Sequence, residues 1–151
     1  MGRIFTIGYE NLTPASLETL VTRLRVTLID VRSRPYGRVK RGFAKKDLEV
    51  LLGDNYEWWG KELGGMGAGV TAAGLDRLGA DKRDLMLMCQ EHSPASCHRH
   101  HMIGVPLADR YRVVEHICEQ DVVTATELAR AMRDGDEYTC EDLAELLDDR
   151  N

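Results

Sequence analysis

The sequence lacks any apolar run near the roughly 20 residues that a membrane-spanning helix needs, so no bilayer-crossing segment and no membrane partner are expected. Its N-terminal residues are too few and too polar at their ends to read as a signal peptide. Only four cysteines are present, Cys89, Cys97, Cys118 and Cys140, and none forms a Cys-x-x-Cys pair. That excludes a disulfide framework and points to a reducing, cytoplasmic setting with thiols free or metal-bound. The glycine-rich stretch 63–69 lacks the lysine of a phosphate loop and the spacing of a dinucleotide fingerprint, which leaves a loop that packs close to a site or moves over it. Repeats and low-complexity tracts are absent.

What is present fits one soluble α/β chain. Its 151 residues suffice for a core without covalent staples, and 43% hydrophobic with 30% charged residues is ordinary for a globular protein. The net charge of −5 conceals an asymmetry. Residues 32–46 carry Arg32, Arg34, Arg38, Lys40, Arg41, Lys45 and Lys46 with no acid among them, while the tail 134–149 is acidic. A local cluster of positive charge attracts phosphates, so Arg38, Lys40 and Arg41 are candidate nucleic-acid contacts; a solvated loop balancing neighbouring acids is the plainer alternative.

Apolar patterning predicts strands at 3–7, 26–31, 56–59, 85–89 and 111–117. Leu17, Leu20, Val21 and Leu24 share one face of a helix opened by Thr13-Pro14. Further helices are predicted over 45–52 and 72–78, and from about Cys97 until Pro106 kinks or ends the segment. A strand, a helix and a strand within thirty residues form a βαβ unit, so the fold class is α/β: a three-layer, largely parallel sheet with helices on both faces. Thr124-x-x-Glu127 and Thr139-x-x-Asp142 resemble capping boxes and predict a C-terminal helical hairpin. This divides the chain into an α/β domain, 1–119, and a helical extension, 120–151, packed on it.

Ligands of open parallel sheets lie beyond the carboxyl ends of the strands. There strand one delivers Gly8 and Tyr9, strand two Asp30, Arg32 and Ser33, the central strand Cys89, Gln90 and Glu91, and the last strand His116. Asp30 and Arg32 point to one face across Val31, either as an orienting acid with an anion-binding arginine or as a mutual ion pair. A helix starting at Cys97 with Arg99 in its first turn offers free N–H groups to an anion or a thiolate. Glu91 and His98 are candidate proton carriers, while His100 and His101 are expected on the helix surface. Cys89 is either a nucleophile or an inert wall. Cys-x7-Cys-His-x-His-His matches no standard zinc spacing, so no cofactor is expected; zinc on Cys89, Cys97 and His98 is the minor alternative. Trp58 and Trp59 suit core and rim packing better than base stacking.

Thr6-Ile7-Gly8-Tyr9, Leu28-Ile29-Asp30-Val31-Arg32-Ser33-Arg34-Pro35, Glu62-Leu63-Gly64-Gly65, Met88-Cys89-Gln90-Glu91, Cys97-His98-Arg99 and His116-Ile117, in this order, resemble the prokaryotic "domain of unknown function 488" family over residues 3–117. The resemblance implies a three-layer α/β domain and adds Gly64 and Gly65 to the site positions; it implies no particular activity. Pro106 and the tail beyond Ile117 depart from it. A fainter similarity is to rhodanese and cysteine-phosphatase sites, from which the chain departs by placing nine residues between Cys89 and Arg99. The expected function is binding, and possible processing, of a phosphate-bearing small molecule or nucleic acid. Asp30, Cys89, Glu91 and His98 are the catalytic candidates, and Gly8, Tyr9, Arg32, Ser33, Gly64, Gly65, Cys97, Arg99 and His116 are the candidates for holding the ligand. Non-catalytic nucleic-acid or nucleotide binding and a zinc-stabilised interaction domain are the alternatives.

Overall fold

Strand positions that alternate between two apolar faces must be covered on both sides, and the chain supplies helices for each. A computed structural model of the protein describes residues 2–67, 69–118, 121–135, 141–143, 147 and 148. In chain order its elements are β1 (Ile4–Gly8), α1 (Pro14–Leu24), β2 (Thr27–Asp30), α2 (Lys45–Leu52), β3 (Tyr56–Trp58), α3 (Gly60–Leu63), α4 (Ala72–Ala80), β4 (Leu85–Cys89), α5 (Val105–Ala108), β5 (Val114–Cys118), β6 (Asp121–Thr124), α6 (Ala125–Asp134) and β7 (Glu141–Asp142). A π-helical turn, Arg99–Gly104, runs directly into α5.

The sheet order is β3-β2-β4-β1-β5-β6-β7. The first five strands are mutually parallel, and β6 and β7 add antiparallel. On one face Phe5, Ile7, Leu28, Met86 and Met88 pack with Leu17, Val21 and Leu24 of α1 and Leu48 of α2. On the other, Ile4, Ile29, Leu85, Leu87 and Val114 meet Leu63 of α3, Leu75 and Leu78 of α4 and Leu107 of α5. The three-layer α/β arrangement is thus present, with helices on both faces.

Local chemistry explains the element ends. Thr13 caps α1 in a reciprocal capping box with Ser16, and Pro14 takes a first-turn position where its missing N–H costs nothing. Pro106 is accommodated the same way: the wider π turn ends at Gly104, and the proline falls in the first turn of the short α5. Strand β5 starts at Val114 rather than 111, because Tyr111 sits in a left-handed turn at φ 61° and is almost fully exposed.

The C-terminal segment differs from its expected form. Thr124 caps α6 by accepting from the Glu127 N–H, as read from the capping box. However, residues 121–124 first add a strand to the sheet, and Glu141–Asp142 pair with it as β7 instead of opening a helix. Leu143, Leu147 and Asp148 are helical; Thr139, Cys140 and Leu146 lie outside the described residues, so the hairpin's second helix is only partly described. Val122 and Leu143 join the core face that α1 covers. Val122 and Val123 read as a strand only once β5 offers an edge to pair with.

Leu87 is fully buried on the central strand, whereas Val50 is 87% exposed on α2. Leu87→Ala is expected to cost about 2–5 kcal/mol of unfolding free energy and Val50→Ala at most about 0.5 kcal/mol, as urea titration would measure.

Candidate functional site

The parallel register levels three strand ends: Gly8 pairs with Cys89, and Asp30 with Met88. Residues just past these positions therefore share one rim. On the α1 and α2 side, Asp30 is fully buried and accepts from Arg32 Nε at 2.8 Å, Arg32 Nη2 at 2.7 Å and the Tyr56 hydroxyl. Burial, then the Asp30 carboxylate, pushes the Tyr56 hydroxyl well above the usual tyrosine range, so it stays a donor. The Arg32 guanidinium lies 5.1 Å from the Tyr9 ring centroid, and Tyr9 stacks on Phe43. Trp58 Nε1 donates to the Arg32 carbonyl at 2.8 Å, clamping this residue from its backbone side. Arg32 Nη1 is buried and has no hydrogen-bond partner.

On the opposite side the loop after β4 is tied down by Arg99. This fully buried guanidinium donates through Nε to Thr6 Oγ1 (3.0 Å), through Nη1 to the Glu91 carbonyl (2.5 Å) and through Nη2 to the His92 carbonyl (2.9 Å). The same loop presses on β1. A Cβ added to Gly8 would lie 1.8 Å from the Glu91 carbonyl oxygen, so only glycine fits there.

Thr6 Oγ1 accepts from Arg99 and also lies 2.6 Å from His116 Nδ1, so one hydroxyl joins both buried side chains. His116 Nε2 faces His100 Nδ1 at 3.0 Å. Burial, then His101 and Arg99, pushes His100 down to about 4, and burial, then Arg99, holds His116 well below the ordinary histidine value.

Above this network lie Cys89, Glu91, Cys97 and His98. His98 Nε2 sits 3.0 Å from the Leu63 carbonyl and 3.3 Å from that of Val31, both acceptors, so Nε2 carries a hydrogen. This turns Nδ1 toward two sulfurs, 3.6 Å from Cys89 Sγ and 3.8 Å from Cys97 Sγ. Glu91 Oε2 is 3.2 Å from Cys89 Sγ, and the Arg99 N–H donates to Cys97 Sγ at 3.5 Å. Cys97 is the sulfur favoured as thiolate: its interaction with the Cys89 thiol outweighs burial, with His98 and Arg99 assisting. Cys89 is correspondingly pushed up by its interaction with Cys97 and by burial. Burial lowers His98, but the Cys97 sulfur and the two carbonyls outweigh it and raise the ring above its ordinary value. One ligand atom each from Cys89, Cys97 and His98 lie within 4.8 Å of one another, so the group could hold a metal ion.

A cavity of about 680 Å³ opens between the two sides. Of the expected site residues, Tyr9, Arg32, Ser33, Arg38, Gly65, Cys89, Glu91 and His98 line it. Gly64 packs against the Ser33 hydroxyl just behind the lining. Several assignments need correction. Asp30 does not face the cavity as a proton carrier; its carboxylate is occupied by Arg32 and Tyr56. Arg99 does not line the cavity, and each of its nitrogens already serves Thr6 or a loop carbonyl. His116 lies one layer deeper, beneath the site. His100 is buried on His116 instead of lying on the surface. The helical segment begins at Arg99, and the His100 and His101 N–H groups both donate to the Cys97 carbonyl, leaving neither for an anion. Lys40 holds the Glu10 and Leu12 carbonyls, away from the cavity, and Arg41 does not line it.

Arg34, Tyr36, Met66 and Gln90 also line the cavity but were not among the expected ligand contacts. Arg34 and Tyr36 stand in the basic segment, whose charge was the available signal; nothing in the sequence marks Met66. Comparison with known proteins yields no match: not to a family model, a curated protein or a solved structure.

Both buried histidines bind protons more weakly in the fold than when unfolded. Below their ordinary value of about 6.5 the unfolded chain gains protons that the fold refuses, so stability is full above that pH and falls as the pH drops toward 4. Each histidine contributes a slope of at most about 1.4 kcal/mol per pH unit in that window. Denaturant midpoints measured between pH 7.5 and about 4.5 are expected to fall accordingly, less steeply in His116→Gln.

Proposed function

We propose that the cavity binds a phosphate-bearing ligand, a nucleotide or a nucleic-acid end, and that Cys89, Glu91 and His98 act on it from the facing wall. One observation carries this reading: Arg32 Nη1 is a buried cationic donor with no partner, on a side chain that lines the cavity. Asp30 occupies two nitrogens of the fork and leaves the third, and an unpaired buried donor of this kind favours an anionic acceptor. Arg34 and Arg38 line the same space against one carboxylate, Glu91, so the lining is cationic on balance. The volume suits a nucleotide-sized molecule. The resemblance to the domain of unknown function 488 family supports the reading only through the positions it emphasises at this rim. A binding module without turnover is less favoured, since Lys40 is already engaged and Arg41 lies off the cavity.

A second reading is favoured by the sulfur–imidazole geometry. A tetrahedral zinc with Zn–S of about 2.3 Å and Zn–N of about 2.0–2.1 Å separates its sulfur and nitrogen ligands by about 3.6 Å. His98 Nδ1 stands 3.6 and 3.8 Å from the two sulfurs, with its other nitrogen fixed on carbonyls as metal-bound histidines are. Zinc there would bind the loop after β4 to the strand end. Elemental analysis of purified protein checks it, with about one zinc per chain expected.

Calorimetry with a nucleoside monophosphate and with inorganic phosphate tests the first reading. Arg34→Ala with Arg38→Ala, both on the cavity wall, is expected to weaken nucleotide binding at least tenfold, in line with charge-assisted bonds of about 1.5–3 kcal/mol. Arg32→Gln, paired with Asp30→Asn to avoid leaving a buried charge alone, is expected to abolish it. Unchanged affinity in both variants would reject the anion pocket.

A further inference from the structure

We infer that the cation site formed by Cys89, Cys97 and His98 is open, with its fourth position on the cavity beside Glu91, which makes it a hydrolytic centre. The inference rests on the zinc reading above and adds what that reading leaves open: whether the ion is merely structural. Structural zinc sites close the tetrahedron with four protein ligands, whereas catalytic ones keep three and leave a place for water. Among the described residues, the group that could hold a metal contains three donors and no fourth.

The surroundings indicate where the free position points. Cys97 stands behind, 2% exposed, its sulfur held by the Arg99 N–H, while Cys89 and His98 line the cavity. Glu91 lines it as well and comes within 3.2 Å of Cys89 Sγ, yet is not one of the clustered donors. It is held there from behind, since Arg99 Nη1 grips its carbonyl. A carboxylate beside the ion but outside its ligand set is placed to take a proton from water on the ion. Two thiolates, one imidazole and a non-ligating glutamate are also the parts that zinc nucleobase deaminases use.

The chemistry this permits is hydrolysis, with water as the only co-reactant. Water on the ion gives a proton to Glu91, and the resulting hydroxide forms a bond to an electrophilic carbon or phosphorus. The bond to the leaving group then breaks, and Glu91 returns the proton to that group. The substrate class follows from the facing wall: a phosphate-bearing compound anchored at Arg32 with its electrophilic atom toward Cys89.

Cobalt(II) titration of the full-length, metal-stripped and reduced chain is the test. One equivalent of Co²⁺ alone is expected to give a thiolate-to-cobalt charge-transfer band with tetrahedral d–d bands, and inorganic phosphate should then shift the d–d bands by replacing water. Cys97→Ser and His98→Gln should each weaken cobalt binding at least tenfold, and Cys118→Ser should leave it unchanged. Glu91→Gln should retain the cobalt spectrum recorded before phosphate is added. Absence of the charge-transfer band overturns the zinc reading and this one together. A band that ignores both phosphate and azide overturns the open site alone, as does a spectrum altered by Glu91→Gln before any anion is present. The wild-type anion response depends on no variant folding correctly.

Discussion

The Arg99 guanidinium is a charge removed from water, and the rim of this protein is built around satisfying it. An unpaired ion in such a place would cost several kcal/mol. Its hydrogen bonds to Thr6 and to the Glu91 and His92 carbonyls are therefore structural requirements. Because these acceptors lie on β1 and on the loop after β4, the same side chain fixes that loop's path over the sheet edge. Everything the loop presents, from Glu91 to His98, takes its position from this anchor. The anchor also reaches downward: the Thr6 oxygen that Arg99 uses as acceptor contacts His116, which in turn contacts His100.

Arg32 makes the contrast. It too is buried, but its carboxylate partner occupies one edge of a planar fork and leaves Nη1 without an acceptor. Two arginines of similar burial thus differ: one has every nitrogen engaged by its own chain, the other leaves one nitrogen without a partner, on a side chain that lines a cavity. Charge and burial do not separate them; only the inventory of acceptors does.

That distinction limits what could be read from residues alone. Strand spacing, helix caps and the rule that ligands sit beyond parallel strand ends located the rim, because these depend on local periodicity and strand polarity. Asp30, Arg32, Cys89, Glu91 and His98 were found that way. Alternation also put Asp30 and Arg32 on the face opposite Val31, as observed. What stayed hidden depends on contacts between distant segments. Lys40 looked like a phosphate contact because its carbonyl partners on Glu10 and Leu12 carry no side-chain signal. His100 looked exposed because its partner, His116, arrives from β5. β6 went unread because a four-residue antiparallel edge is defined by the strand it joins.

The nine residues between Cys89 and Arg99 acquire a physical meaning in this light. In a tight anion cradle a short loop turns its arginine toward the bound anion. Here the loop is long enough to fold over the sheet edge, through a 3₁₀ turn at Pro94–Ser96, and to carry Arg99 inward to Thr6. With its arginine buried beneath it, the loop has no guanidinium to offer the cavity. The arginines of the cavity lining come from across the rim: Arg32, Arg34 and Arg38 of the basic segment. What the loop offers instead is sulfur, imidazole and carboxylate. The division between the two walls, arginines on one and sulfur, imidazole and carboxylate on the other, thus follows from where one guanidinium finds its acceptors.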